Sequence, residues 1–281
     1  MREIQAAQIR DTVRSLILQA SYVIGDDVRS RVAGCLAEEP SPSGRAVLSQ
    51  LLENYDIARQ ERIAICQDTG MCVVFLDIGQ DVHIAGGDLT QAVNDAVRSA
   101  YSEGYLRKSV VGDPLFARVN TKDNTPAVLH TRIVPGENVS ILVSPKGFGS
   151  ENMSAVKMLV VAEGVEGVVR FVVDTVKNAG PNPCPPVIVG VGIGGTMEKA
   201  AELAKRMTAR PVDQPNEDPR YAALEERILN EINALGIGPA GIGGRTSALK
   251  VSIATYPTHI AGLPVAVNLC CHAARHAQAL L

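Results

Sequence analysis

Residues 185–207, PPVIVGVGIGGTMEKAAELAKRM, leave little choice of architecture. The run from Val187 to Gly195 carries no charge, so it is expected inside, as a strand covered on both faces. A glycine turn follows, and then a helical pattern over TMEKAAELAKRM. A buried strand that feeds a helix is the unit of α/β folds. Gly190, Gly192 and Gly195 match G-x-G-x-x-G, the spacing of a dinucleotide-binding turn. That fingerprint also needs an acidic strand end about 20 residues on. Here that stretch is ARPVDQPNED, a proline-bearing loop. That mismatch weighs against a nicotinamide cofactor without removing it, and two other readings stand beside it: a tight turn, or a nest of backbone N–H groups for an anion.

The first third predicts helices. Val13, Leu16, Ile17, Ala20, Val23 and Ile24 recur at spacings of three and four, and EEPSPSG (38–44) is a turn between helices. From about residue 61 the pattern changes. MCVVFLDIG reads as a strand and GGDLTQAVNDAVRSAYSEGYLRKS as a helix. AVLHTRIVPGENVSILVSP predicts two strands paired antiparallel about a Pro-Gly turn. SENMSAVKMLVVAEG predicts a helix with a capping start, and VEGVVRFVVDTVKNAG and RYAALEERILNEINALG predict two more. ALKVSIATYP and LPVAVNL read as strands, and the last ten residues as a helix. The expected fold class is mixed α/β: a helical part over 1–60, then a mixed-sheet α/β region over 61–281, together one domain.

Composition bounds the partners. The 281 residues include 27 Lys plus Arg against 30 Asp plus Glu, a formal charge of −3. No field of that size draws the chain to nucleic acid or to a membrane surface. The N-terminus has no apolar signal core and no run reaches a membrane-spanning length, so a cytoplasmic protein is expected. In a reducing compartment six cysteines point to metal binding or catalysis before disulfides.

Cys35 lies in the helical AGCLAEE and Cys72 in the strand MCVVF, and both are expected to pack in the core. Cys66 in ICQDTG, Cys184 in GPNPCPP and the doublet Cys270/Cys271 in NLCCHAAR lie instead at strand or helix ends, where α/β proteins place their chemistry. No C-x-x-C occurs, against a zinc ribbon or a thioredoxin motif. Three widely spaced cysteines suit an iron–sulfur cluster with one iron open. A catalytic cysteine paired with His272 or His259, or incidental cysteines, are the other readings of the spacing.

CQDTG, PKGFGSEN, PNPCPPVIVGVGIGGT, GIGPAGIGG and VAVNLCCHAARHA occur in that order along the chain. Together they resemble the α subunit, or N-terminal half, of class I (iron–sulfur) fumarate hydratases and the related L-tartrate dehydratases, from about residue 10 to the end. The resemblance implies a [4Fe-4S] cluster bound at strand and loop ends by Cys66, Cys184 and Cys271, with one iron free of cysteine. It implies substrate contacts at Gln67, Arg107 and Gly149, and catalytic roles for Asp68 and His259. The reaction implied is the reversible, oxygen-sensitive hydration of fumarate to L-malate, a tricarboxylic acid cycle step. The partners implied are a β subunit that completes the site and a small dicarboxylate, in an α2β2-type assembly. L-tartrate dehydration, or a non-catalytic cluster or anion-binding module, are the alternatives. Adjacent strand residues point to opposite faces, so only one cysteine of the doublet is expected to aim at a cluster.

Overall fold

The computed structural model describes residues 1–281. In chain order the elements begin with β1 (Arg2–Gln5), α1 (Ala6–Tyr22), α2 (Asp26–Glu38), α3 (Pro42–Glu61), β2 (Met71–Gly79), β3 (Val82–Ala85) and α4 (Leu89–Glu103). β4 (Val128–Val134), β5 (Val139–Lys146), α5 (Phe148–Glu151), β6 (Ala155–Leu159), α6 (Gly164–Ala179) and β7 (Val187–Gly194) follow. The chain ends with α7 (Met197–Met207), α8 (Pro219–Asn233), β8 (Ala248–Tyr256), β9 (Leu263–Cys270) and β10 (Ala277–Leu280). The fold is mixed α/β, as expected. No helix is long and apolar enough to cross a membrane.

The chain forms two compact units. One comprises Met1–Ile24, Tyr55–Phe148 and Arg275–Leu281; the other comprises Gly25–Asn54 and Gly149–Ala274. The first is built on a sheet of order β10-β5-β2-β4. The α1 stripe of Ile9, Val13, Leu16, Ile17 and Ala20 packs with Val93, Ala96, Val97 and Ala100 of α4 against Cys72, Val74 and Leu76 of β2 and Ile141 and Val143 of β5. The apolar spacing that predicts a helix over 13–24 therefore marks a buried face.

The second unit has a sheet of order β6-β9-β7-β8. Val187, Val189 and Val191 of β7 face a core shared with α6, α8 and odd-numbered residues of β9. The alternate residues are Gly190 and Gly192, and α7 lies on that face. A Cβ on Gly190 would stand 2.1 Å from the Ala204 carbonyl oxygen, and one on Gly192 would stand 2.0 Å from that of Ala200. At Gly190 and Gly192 the missing Cβ lets a helix touch a strand, a packing reason for the first two glycines of the G-x-G-x-x-G spacing.

Three local expectations are overturned. β4 and β5 do not pair with each other: β2 lies between them, parallel to β4 and antiparallel to β5. Every residue of β2 after Met71 is buried, so this run takes an interior place and accepts a partner on each edge. SENMSAVKMLVVAEG is not a helix; its middle is β6, paired antiparallel to β9. The final ten residues are not a helix either, because β10 pairs with β5, Ala277 opposite Val143. In each case a distant partner strand outweighs local propensity.

A buried carboxylate pins the glycine-rich GIGPAGIGG loop in the second unit. Glu39 is 2% exposed and accepts hydrogen bonds from the backbone N–H groups of Ser41 (3.1 Å), Arg245 (2.9 Å) and Thr246 (2.8 Å). Burial pushes its pKa up, but these hydrogen bonds outweigh it, and the net shift is down. A carboxyl group with a lowered folded pKa adds stability above its unfolded value and loses it as pH falls through the folded one. Glu39→Gln is expected to cost about 1–3 kcal/mol at neutral pH. Urea midpoints of variant and wild type should converge as the pH drops below the carboxylate range; a gap independent of pH would contradict this assignment.

Candidate active site

The candidate residues fall into two groups, one in each unit. In the first unit the CQDTG turn lies between α3 and β2. Asp68 accepts a hydrogen bond from Gly70 N–H on Oδ1 (3.1 Å) and one from Phe148 N–H on Oδ2 (2.8 Å). Its carboxylate is thus held by backbone donors and stays half-buried. Beside it the Cys66 thiol donates to Gln67 Oε1 (3.4 Å). Gly70 has φ +76°, and a Cβ there would meet the Lys146 carbonyl at 2.5 Å, so no other residue fits the turn.

Two buried side chains fix this turn from below. The Tyr101 hydroxyl donates to the carbonyls of Thr69 (2.9 Å) and Gly70 (3.0 Å), and Asn124 Nδ2 donates to Gly70 O (3.1 Å). Thr69 Oγ1 donates to the Arg107 carbonyl at 2.8 Å, which ties Arg107 to the same turn and leaves its side chain exposed. Cys66, Gln67, Asp68 and Arg107 are therefore assembled by one unit. No local pattern marks Tyr101 or Asn124 as part of the site. Each acts through depth and hydrogen bonding, which have no local pattern.

In the second unit, sheet register brings two cysteines to one edge of the fold. β7 and β9 are antiparallel with Ile188 opposite Cys270, so the start of β7 and the end of β9 share one end of the sheet. Cys184 lies just before β7 and Cys271 just after Cys270. Cys184 is exposed and has φ +55°, a left-handed conformation that costs about 1–3 kcal/mol for a residue with a Cβ. Gly149 belongs to the same end: a Cβ on it would lie 3.6 Å from the carbonyl oxygen of Asn182, in the turn that carries Cys184.

His259 is different. It is exposed in the loop between β8 and β9, where its Nδ1 accepts from Ala261 N–H (3.2 Å). The neighbouring Thr258 Oγ1 donates to Gly195 O beyond the far end of β7 (2.9 Å). The length of β9, roughly 25 Å for eight residues, separates this loop from the cysteine end. The unit does not bring His259 to Cys184 and Cys271.

Exposure divides the six cysteines evenly. Cys35, Cys72 and Cys270 are buried; Cys66, Cys184 and Cys271 are accessible or half-accessible, and none forms a disulfide. Burial pushes the Cys72 thiol up to about 12 and raises Cys35 as well, so neither is a ready thiolate. Cys271 Sγ lies 3.9 Å from the Ala273 carbonyl. No group of three or more His, Cys, Asp or Glu side chains is placed to hold a metal ion, so neither unit alone contains a three-ligand site. The donor chemistry still fits an iron–sulfur cluster: three thiols open at loop ends, the others sealed in cores.

A family model described as Fumarate hydratase (Fumerase) matches residues 10–280. A chain of Methanocaldococcus jannaschii, provisionally named an L(+)-tartrate dehydratase subunit alpha, is 38% identical over 278 residues, covering 96% of each chain. The L(+)-tartrate dehydratase subunit alpha of Escherichia coli is 32% identical over 278 residues, covering 98% of this chain and 91% of its own. The Shigella sonnei protein of the same name matches to the same extent.

Proposed function

Because the chain belongs to the fumarate hydratase (Fumerase) family and is the α-type subunit of a hydro-lyase, we propose that it joins a separate β subunit to hydrate fumarate reversibly to L-malate. The observation that carries this is the division of the cysteines. The three expected at strand and loop ends are the three left accessible, and the others are buried. In the proposal Cys66, Cys184 and Cys271 hold a [4Fe-4S] cluster, which when bound supplies an open, Lewis-acidic iron for a hydroxyl and a carboxylate.

The chain's own residues do the rest of the binding. Asp68, held by two backbone N–H groups, is a pre-aimed acceptor for the proton of a hydroxyl group. Gln67 precedes it in the turn, Arg107 is tied to that turn through its carbonyl, both side chains are exposed, and a guanidinium takes a carboxylate with two parallel hydrogen bonds. Gly149 leaves backbone open at the cysteine end of the second unit. His259 keeps the role that the resemblance implies, without support from the geometry of its own unit. The base for the C3 proton is assigned to the β subunit. An α2β2-type assembly in a reducing cytoplasm, with loss of activity in air, completes the proposal.

Dehydration of L-tartrate is the second reading, favoured by the names of relatives 32–38% identical to this chain. One experiment separates them: co-expression with the β partner without oxygen, then rates on fumarate, L-malate and both tartrates. A kcat/KM for fumarate above that for either tartrate is the expected result. Preference for L-tartrate would move the assignment to the second reading, and an iron-free complex with full activity would overturn the cluster.

A further inference from the structure

Arg275 lies four residues beyond Cys271, at the entry to β10. Its position is set by the backbone: Ser144 Oγ donates to its carbonyl (3.3 Å), and pairing with β5 begins at Ala277. The side chain is 2% exposed. Nε and Nη1 are both buried with no hydrogen-bond acceptor. Arg210 also has a buried Nε without a partner, but its Nη2 is bonded to Glu225 at 2.6 Å. A guanidinium cannot shed its proton, so Arg275 is a permanent charge in the interior without a bonded counter-ion.

Its surroundings show where that charge acts. A Cβ on Gly147 would lie 3.2 Å from Arg275 Nη2 and 3.2 Å from Asp68 Oδ2, so the two groups flank one bare Cα. The buried Tyr101 hydroxyl, which holds the CQDTG turn through the Thr69 and Gly70 carbonyls, lies in the same interior. Lys146, also 2% exposed, donates to the Gly147 carbonyl at 3.1 Å. Gly147 therefore has a buried cation on each side of its backbone, Arg275 at its Cα and Lys146 at its carbonyl, and Asp68 is the carboxylate that shares the Cα side.

We propose that Arg275 is a positioning residue for the hydro-lyase reaction, its charge steadying the Asp68 carboxylate across Gly147 for an anionic substrate. This rests on the dicarboxylate hydro-lyase reading above. A buried charge without a bonded partner weakens the fold, so its removal should relieve the fold and harm the reaction.

The test uses the α/β complex prepared without oxygen. Arg275→Met is expected to melt at or above the wild-type temperature while kcat falls up to about 100-fold with KM little changed. Arg275→Lys, which keeps the charge, should recover part of kcat. Gly147 does not have a positive φ, so Gly147→Ala is compatible with the backbone and places a methyl between the two groups with the charge intact. It should also lower kcat, and it decides the matter if Arg275→Met fails to assemble. Unchanged kcat in the assembled variants overturns the role, as does a loss of activity matched by a fall in melting temperature. A wild-type complex inactive on fumarate, L-malate and both tartrates would instead overturn the hydro-lyase reading, and this role with it.

Discussion

A Cys271→Ala α subunit, co-expressed with its β partner and purified without oxygen, is expected to be folded, iron-poor and inactive, whereas Cys270→Ala keeps its iron and its rate. The two residues are adjacent, yet the sheet treats them oppositely. Cys270 is the last residue of β9, opposite Ile188, and is 7% exposed. Cys271 is the first residue past the strand and half-exposed. Removing a thiolate ligand forfeits Lewis-acid assistance of several kcal/mol, so kcat/KM should drop at least about 1000-fold. Removing the Cys270 thiol leaves a small core void, costing about 1 kcal/mol of stability. Iron per chain, visible charge-transfer absorbance and the rate on L-malate report the outcome. Equal iron in both variants would show that the ligand lies elsewhere; loss in Cys270→Ala alone would move it by one residue.

Gly192→Ala should be the most damaging single methyl in the second unit. The new Cβ would stand 2.0 Å from the Ala200 carbonyl oxygen and 2.8 Å from the Ala204 nitrogen, both on the backbone of α7. Neither can swing aside like a side chain. α7 must lift from β7, or β7 must buckle within a sheet buried on both faces. The expected cost is about 3 kcal/mol or more. A lower melting temperature or loss of soluble protein is the readout. Gly34→Ala is the matched control, because a Cβ there meets nothing within 4 Å and the residue lies in α2. It should stabilise the chain by about 0.5–1 kcal/mol. A Gly192→Ala protein as stable as wild type would mean that α7 does not lie so close to the strand.

Much of the fold was legible because it is written in short-range patterns. The stripe of α1, the apolar run of β2, the uncharged β7 and the glycine-capped α6 all declare themselves within one window. The failures share one cause. β4, β5, β6 and β10 are defined by the strands beside them, and those partners lie up to about 140 residues away in sequence. The chain crosses between its units after Ile24, Asn54, Phe148 and Ala274, and no linker-like composition marks any of these points. Two of the crossings fall inside helices, α3 and α5, where the sequence must satisfy helical periodicity and has no freedom to advertise a boundary.

The cysteines and the CQDTG turn could be picked out from residue order alone, because reactive groups at strand ends need particular residue types in particular loops. The alternation of a strand was enough to say that one of Cys270 and Cys271 must face inward. Which thiols are sealed and which are open was a matter for the packed structure, since exposure depends on everything that covers a residue. Arg275 makes the same point more sharply. As a letter it is an arginine in a polar tail. Only the pairing of β10 with β5 carries it inside, where a charge that cannot leave stands behind Asp68 without a bonded partner.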